Sequence, residues 1–349
     1  MTPRGIPMTP RGIPMTRRLV WALAVLSAAL LGIAVLAIFL GSARLSPLIV
    51  LRVLGGGAGA ESTESIVVLG LRLPRIAAAV LAGGALAVAG VGFQALTRNP
   101  LAEPAVLGVS SGASFGVVVG QLAGGSGALF DTVRVAAFGF GGALLAGAAV
   151  YLIASVHGAF PIQTLLLSGV IVGIFFASAV TVLISLVDID RLGGVVHWLF
   201  GNVGPLPGRS LLVFTALAAL GFAAIVSQAR ELNVLALGEE PALQLGINAE
   251  RVKAQIFVAA ALLTSSVVAF AGPIGFVGLI VPHILRLLLG PDNRLLVPTA
   301  MVGGGTFLLV ADTIARNVVA PAELSVGIIT SFFGAPFFVY LLRTRRGLL

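Results

Sequence analysis

The apolar residues of this chain come in long blocks, and most polar residues are confined to the stretches between them. The blocks hold about 18–22 residues each, the length of an α-helix that crosses the roughly 30 Å hydrocarbon core of a bilayer. The pattern predicts about ten spans, of which the eighth is short. Their predicted bounds are 19–40, 75–96, 105–122, 133–155, 164–187, 210–228, 254–271, 276–289, 295–314 and 324–342. The predicted fold class is an all-α polytopic membrane protein.

Composition supports the same class. Hydrophobic residues make up 58% of the 349 residues and charged residues 10%, whereas an ordinary soluble domain carries about 25% charged residues. A soluble fold would therefore have too few polar side chains to cover its surface. The 45 glycines lie within the apolar blocks, as in 82–85 and 139–143, where small residues let helix backbones approach closely.

Several function classes are excluded by what the sequence lacks. The absence of cysteine rules out disulfides, thiolate metal sites and cysteine nucleophiles. The net charge of +8 is explained by basic membrane loops rather than by nucleic-acid binding, because no basic run is interleaved with aromatic residues. No GxxxxGKS/T phosphate loop is present, so the chain is not itself an ATPase.

The start of the chain is repetitive, since MTPRGIP at 1–7 recurs at 8–14. A seven-residue repeat that contains proline and glycine does not form a coiled coil. We therefore expect 1–18 to be a flexible tail and 19–349 to be a single transmembrane domain. The apolar run 19–40 is too long for a signal peptide and is expected to remain as the first span.

The basic residues indicate the orientation of the spans. An even number of spans places both termini on one side. If that side is the cytoplasm, its segments hold the larger share of the 21 lysines and arginines, as the positive-inside rule requires. We expect a multi-pass protein of the bacterial inner membrane with both termini in the cytoplasm.

The predicted spans are almost free of charge. Asp312 is the acid placed within a span, near the outer end of the ninth. His157 and His197 fall in predicted loops, and His283 lies in the eighth span, where it is either satisfied by a neighbouring helix or part of a relay. A proton-coupled transporter needs ionisable groups at mid-membrane depth. The energy for transport is therefore expected to come from outside the membrane.

The segment 229–253 is more polar than a simple turn requires. Its pattern predicts two short amphipathic helices that end at Gly238 and Gly246, the second with acidic residues and Pro241 in its first turn. Two such helices suit insertion into a groove on a partner protein. An ordinary amphipathic loop lying on the bilayer is the alternative.

Four motifs, in order, resemble the permeases of ATP-binding cassette (ABC) importers for iron chelates and vitamin B12. They are RLPR at 72–75 with RNPLAEP at 98–104 and LGVSSGA at 107–113, ALGE at 236–239 with LG at 245–246, GFVGLIVPHILR at 275–286, and GAPF at 334–337. The resemblance covers the chain from about position 71 to its end.

The resemblance implies the type II ABC importer permease fold. This is a homodimer of ten-helix subunits in lipid, seated on two copies of a cytoplasmic ABC ATPase and capped by a periplasmic substrate-binding protein. The two halves of each subunit are expected to be inverted repeats. The chain would bind no cofactor or metal and catalyse no reaction, while ATP and Mg²⁺ would bind the partner ATPase. The substrate would be an iron chelate, either a ferric siderophore or haem, with cobalamin as the alternative.

Matching the motifs residue by residue assigns roles by resemblance. The sockets for carboxylates of the binding protein are Arg72, Arg75 and Arg316, for which plain anchoring at the lipid interface is the alternative. The ATPase would be contacted by Ala236, Leu237, Gly238, Glu239, Glu240, Leu245 and Gly246. The cytoplasmic gate would be formed by Asn99, Leu101, Ile162, Gln163 and Thr164, although 161–164 depart from the polar residues of the vitamin B12 permease.

The fifth predicted span mixes small, hydroxyl and aromatic residues. They are Ser168, Phe175, Phe176, Ser178, Thr181 and Ser185. This mixture suits either a wide pathway for a bulky substrate or ordinary helix packing. A channel would instead show a polar filter or a charged ring, and an intramembrane enzyme would show a catalytic pair or metal cluster at depth. The sequence shows neither pattern.

Overall fold

A computed structural model describes residues 14–41, 45–57, 59, 62–123, 128–155, 161–186 and 189–344. Within these ranges the chain forms helices joined by short connections, and no strand is present. The helices are α1 (Met15–Phe39), α2 (Pro47–Leu54), α3 (Thr63–Thr97), α4 (Val109–Leu122), α5 (Ala128–Ala154), α6 (Ile162–Ser185), α7 (Ile189–Leu199), α8 (Gly208–Ser227), α9 (Ala229–Leu235), α10 (Glu239–Gln244), α11 (Ala249–Ala271), α12 (Val277–Leu289), α13 (Asn293–Asn317) and α14 (Val326–Thr344). The predicted all-α class is confirmed.

The predicted spans correspond to seven long helices and three shorter ones. The long helices are α1, α3, α5, α6, α8, α11 and α13, and the shorter apolar helices are α4, α12 and most of α14. Helix α4 has 14 residues and α12 has 13, or about 20 Å each at 1.5 Å per residue. These two helices therefore cover only part of the thickness of a bilayer core.

Bonds between helix ends show which ends lie together. Arg18 of α1 donates to the main chain at the end of α12 over 2.8 Å, and Asn233 of α9 donates to Asp292, just before α13, over 2.7 Å. We call this the short-helix end, because it carries α9 and α10. At the opposite end, Arg75 of α3 pairs with Asp312 of α13.

Glycines lie where the principal helices touch. A Cβ atom added to Gly83 of α3 would overlap the main chain of Gly304 in α13, and one added to Gly142 of α5 would overlap α4. Gly90 of α3 meets Gly278 of α12 in the same way. The prediction that glycine-rich blocks allow close helix packing is confirmed at these positions.

Helix α12 begins inside the bundle rather than at its surface. Gly278, in its first turn, touches Gly90, which lies roughly 10 Å from the short-helix end of α3. Pro104 also packs against Gly278. The chain therefore turns back into the bundle after α3, through 98–108, before α4 starts. Non-helical backbone at this depth is tolerated when it is buried in protein.

Helix α6 begins at Ile162, two residues before the predicted start of the fifth span. Two local predictions are wrong. His197 lies in the last turn of α7, a short helix that the apolar blocks did not predict. Helix α1 already begins at Met15, so 15–18 belong to the first helix rather than to a tail. His157 and residues 1–13 lie outside the described ranges.

Candidate functional site

The predicted pair of short helices is present at the short-helix end, as α9 and α10. The chain leaves α9 at Gly238 with φ of 134° and leaves α10 at Gly246 with φ of 77°, values that favour glycine. Leu237, Leu243 and Leu245 project from this element and are 65–73% exposed. The element 236–246, which we call the coupling element, thus offers an apolar surface to a partner or to lipid.

An ion-pair cluster joins the coupling element to two long helices. The Glu239 Oε1 atom lies 2.9 Å from Lys253 Nζ of α11 and 3.5 Å from Arg98 Nη2 at the end of α3. Lys253 is 2% exposed, and its ammonium also lies 2.7 Å from Glu250 Oε1. Sequence reasoning missed this cluster, because Arg98 lies far along the chain from the segment 229–253 that holds its other members.

The first predicted gate segment follows Arg98 directly. The Asn99 side chain accepts a hydrogen bond from the N–H of Leu101 over 2.9 Å, and the Asn99 carbonyl accepts one from the N–H of Ala102 over 3.1 Å. These bonds shape 99–102 into a compact turn. Leu101 is half-buried in this turn, close to the short-helix end.

The far side of this turn is anchored to the start of α12. The Glu103 carboxylate accepts a hydrogen bond from the N–H of Phe276, and Gln94 donates to the carbonyls of Gly278 and Leu279 over 3.3 and 3.4 Å. Both contacts link positions far apart in sequence, so no local pattern could predict them. We call 98–103 the gate loop.

The second predicted gate segment begins α6. Gln163 is exposed, whereas Ile162 and Thr164 are half-buried. Further along the same helix, Gly169 packs against Gly108, at the end of the stretch 98–108 that turns back into the bundle. The two predicted gate segments are therefore connected through the packing of α6 on 104–108.

The predicted pathway residues of α6 divide between two faces of the helix. Phe175, Ser178, Thr181 and Ser185 are exposed along one face. Ser168 is buried and bonds to its own helix at Leu165, and Phe176 packs on Phe115 with ring centroids 5.5 Å apart. The exposed face is the part that a partner subunit or a substrate could reach.

The three predicted docking arginines lie at the opposite end and are buried. Arg75 binds Asp312 through Nε and Nη2 at 3.1 and 3.0 Å and binds Glu323 through Nη1 at 2.6 Å. Arg316 Nε lies 3.0 Å from Asp312. The Arg72 guanidinium donates to the carbonyl of Ile38 at the end of α1. Docking remains a prediction, and the acids that meet these arginines were not foreseen.

A second polar junction at the short-helix end fixes α9 to α13. Asn233 donates to Asp292 and accepts from the N–H of Asn293 over 2.8 Å. Hydrogen bonds from the Arg294 guanidinium hold the pKa of the Asp292 carboxyl below its usual value, with a further contribution from Asn233.

In the described part of the chain, no group of three His, Asp or Glu side chains could hold a metal ion.

Comparison with known proteins places this geometry in a family. The model of the FecCD transport family matches residues 28–344. The chain is 41% identical over 287 residues to the cobalamin import system permease protein BtuC of Halobacterium salinarum, covering 82% of this chain and 76% of that protein. It is 39% identical over 280 residues to the hemin transport system permease protein HmuU of Yersinia pestis, covering 80% and 83%.

A solved structure agrees with the fold. It is presented as an inward-facing conformation of a metal-chelate type ABC transporter, and it matches with a TM-score of 0.80 at 30% identity over 93% of this chain and 99% of that one. The family match, the curated relatives and this structure all point to the same kind of membrane protein. The chain belongs to the FecCD transport family and is an ABC transporter permease.

Proposed function

We propose that this chain is the permease subunit of an ATP-driven importer that carries an iron chelate, a ferric siderophore or haem, across the bacterial inner membrane. The observation that carries the proposal is the coupling element, whose exposed leucines face away from the bundle while Glu239 faces its long helices. The short-helix end then lies in the cytoplasm on a separate ATPase. Cobalamin is the second candidate substrate, favoured by the 41% identity to a cobalamin permease.

The proposed mechanism is alternating access in a homodimer. Two subunits would bring together the exposed faces of α6 and α14, where Phe175, Phe332 and Phe333 are open. On α6 the hydroxyl groups of this face include Thr181 and Ser185, which donate to carbonyls of their own helix, so the faces could pass a bulky substrate without holding it. Closure of the ATPase dimer would move the coupling elements and open the pathway on one side at a time.

Replacing Gly246 with tryptophan is expected to uncouple ATP hydrolysis from transport. A Cβ atom at Gly246 meets open space, so the indole fits without a clash and would occupy the surface where the ATPase docks, while the φ of 77° adds local backbone strain. We expect hydrolysis that no longer responds to the binding protein, measured in proteoliposomes. Gly290→Trp is a matched control, because Gly290 also has positive φ and open space, at the end of α12.

Each possible result decides the proposal. If Gly246→Trp behaves like Gly290→Trp, the coupling assignment is wrong. If the wild-type permease, purified from cells that express its neighbouring genes, brings no ATPase with it, the importer proposal is wrong.

The substrate class is tested on the cognate binding protein. We expect hemin or a ferric siderophore to raise its melting temperature, because a ligand that binds only the folded state stabilises that state. A shift with cyanocobalamin alone would favour the second candidate.

A further inference from the structure

We propose that Glu239 is a positioning residue that transmits movement of the coupling element to the gate loop through Arg98 and Lys253. This inference rests on the proposed function, because it assumes that an ATPase moves the coupling element. It adds a defined route between the ATPase surface and the gate.

The route is short and is made by one carboxylate. Glu239 is the first residue of α10, and its Oε1 atom meets both Arg98 Nη2 and Lys253 Nζ. Arg98 ends α3 and directly precedes Asn99, the first predicted gate residue. A displacement of α10 is therefore passed by a single side chain to the point where the gate loop begins.

The backbone of Arg98 supports a role beyond ending a helix. Its φ of 51° and ψ of 27° are left-handed, a conformation that is unfavourable for residues with a Cβ atom and that helix ends usually assign to glycine. Arginine at this position brings its guanidinium to Glu239. A residue held in an unfavourable conformation whose side chain makes a specific contact is a candidate for function.

The other end of the gate loop does not share the link. Glu103 is bonded to Phe276, at the start of α12. On the other side, Gln94 ties the last turns of α3 to Gly278, and Arg98 lies beyond that tie. The loop is thus held on α12 through Glu103 at one end and contacted by the coupling element through Arg98 at the other. Movement at Arg98 must change the shape of the loop, and with it the position of Leu101, rather than translate the loop as a whole.

Lys253 supplies a buried charge on one side of the link. Its side chain is 3% exposed and lies between Glu239 and Glu250, whose side chains are 42% and 36% exposed. The Lys253 contact keeps Glu239 directed toward the bundle, so the carboxylate remains within reach of Arg98.

The test uses the absence of cysteine from this chain. A single Leu101→Cys substitution gives a reporter whose reaction with a maleimide can be measured on the permease without background from the rest of the chain. The complex with its ATPase is reconstituted in proteoliposomes and labelled with and without ATP plus orthovanadate. In Leu101→Cys without further substitutions, we expect trapping of the ATPase with ATP and orthovanadate to change the labelling rate.

Glu239→Gln should reduce this nucleotide-dependent change about fivefold or more, the low end of typical couplings between sites. Glu250→Gln is the matched control, because it also removes a carboxylate from Lys253 but leaves the contact with Arg98. We expect Glu250→Gln to keep the change in labelling. Hydrolysis of ATP should continue in Glu250→Gln.

Arg98→Gly provides a second variant that protects the test against misfolding. Glycine accepts the left-handed conformation without strain, so the fold should be retained while the link is lost. We expect Arg98→Gly to reduce the nucleotide-dependent change in labelling as much as Glu239→Gln does. Arg98→Lys, which keeps the charge, should recover part of that change.

The outcomes separate this inference from the proposed function. A full nucleotide-dependent change in both Glu239→Gln and Arg98→Gly would overturn the link and leave the importer proposal standing. If ATP plus orthovanadate does not alter the labelling rate of Leu101→Cys itself, despite a bound and active ATPase, then nucleotide does not move the gate loop. That result would also overturn the link. Failure of any ATPase to bind would overturn the proposed function itself.

Discussion

Replacing Arg75 with alanine is expected to destabilise the folded permease by about 3 kcal/mol, near the low end of the cost of breaking a buried ion pair. Asp312 is fully buried and receives two hydrogen bonds from the Arg75 guanidinium. Without Arg75, this carboxylate keeps only Arg316 as a charged partner among the ion pairs described. A charge left partly unpaired away from water is costly.

The measurement is the apparent melting temperature of the detergent-solubilised protein. Arg52→Ala is the control, because Arg52 is an exposed arginine of α2 between the first two long helices. We expect Arg52→Ala to melt with the wild type and Arg75→Ala to melt clearly below it. Adding Asp312→Asn to Arg75→Ala should recover part of the loss, since the cluster then holds one charge of each sign, on Arg316 and Glu323. Equal melting of Arg75→Ala and Arg52→Ala would contradict the explanation.

The spans could be predicted because a membrane imposes a length and an apolar composition on every crossing helix. The same rule misplaced the start of one of the three shorter spans. Helix α4 begins at Val109 and not at 105, because 104–107 form a 3₁₀ turn that is apolar without being part of the span. An apolar block shows that a segment is buried, but it does not distinguish buried helix from buried connection.

The coupling element was predictable because its signals are local. Glycine ends both short helices and proline and acids open the second, and each of these acts on its own turn. The partners of Glu239, Glu103 and Arg75 were not predictable from such signals. Each of these side chains pairs with a residue in another helix, and one sequence carries no record of which helices will be neighbours.

The buried acids change how docking has to be tested. Converting Arg72, Arg75 and Arg316 together to glutamate would place new carboxylates beside Asp312 and Glu323, so loss of binding could reflect loss of the fold. Arg72 offers a cleaner position. Its described hydrogen bonds go to the carbonyls of Ile38 and Phe39, and Arg316 lies close enough to repel it.

Arg72→Gln and Arg72→Glu should therefore weaken docking of the binding protein in graded steps, and Arg72→Gln should preserve the fold. Glutamine can still donate to the main chain but cannot pair with an incoming carboxylate. Glutamate adds repulsion toward that carboxylate, although its charge is compensated within the chain by Arg316. We expect about a tenfold loss of affinity for Arg72→Gln, equivalent to about 1.4 kcal/mol, and a larger loss for Arg72→Glu.

Affinity is measured between the reconstituted transporter and its binding protein at low and high salt. Arg52→Glu is the control for a general change of charge on an exposed arginine, and it should have little effect once salt is raised. The Debye length falls from about 10 Å at 0.1 M to about 3 Å at 1 M, so wild-type binding should weaken with salt and Arg72→Glu should respond less. Unchanged affinity across the Arg72 series, with melting temperatures equal to the wild type, would reject the docking role and leave Arg72 as a residue that joins α3 to the end of α1.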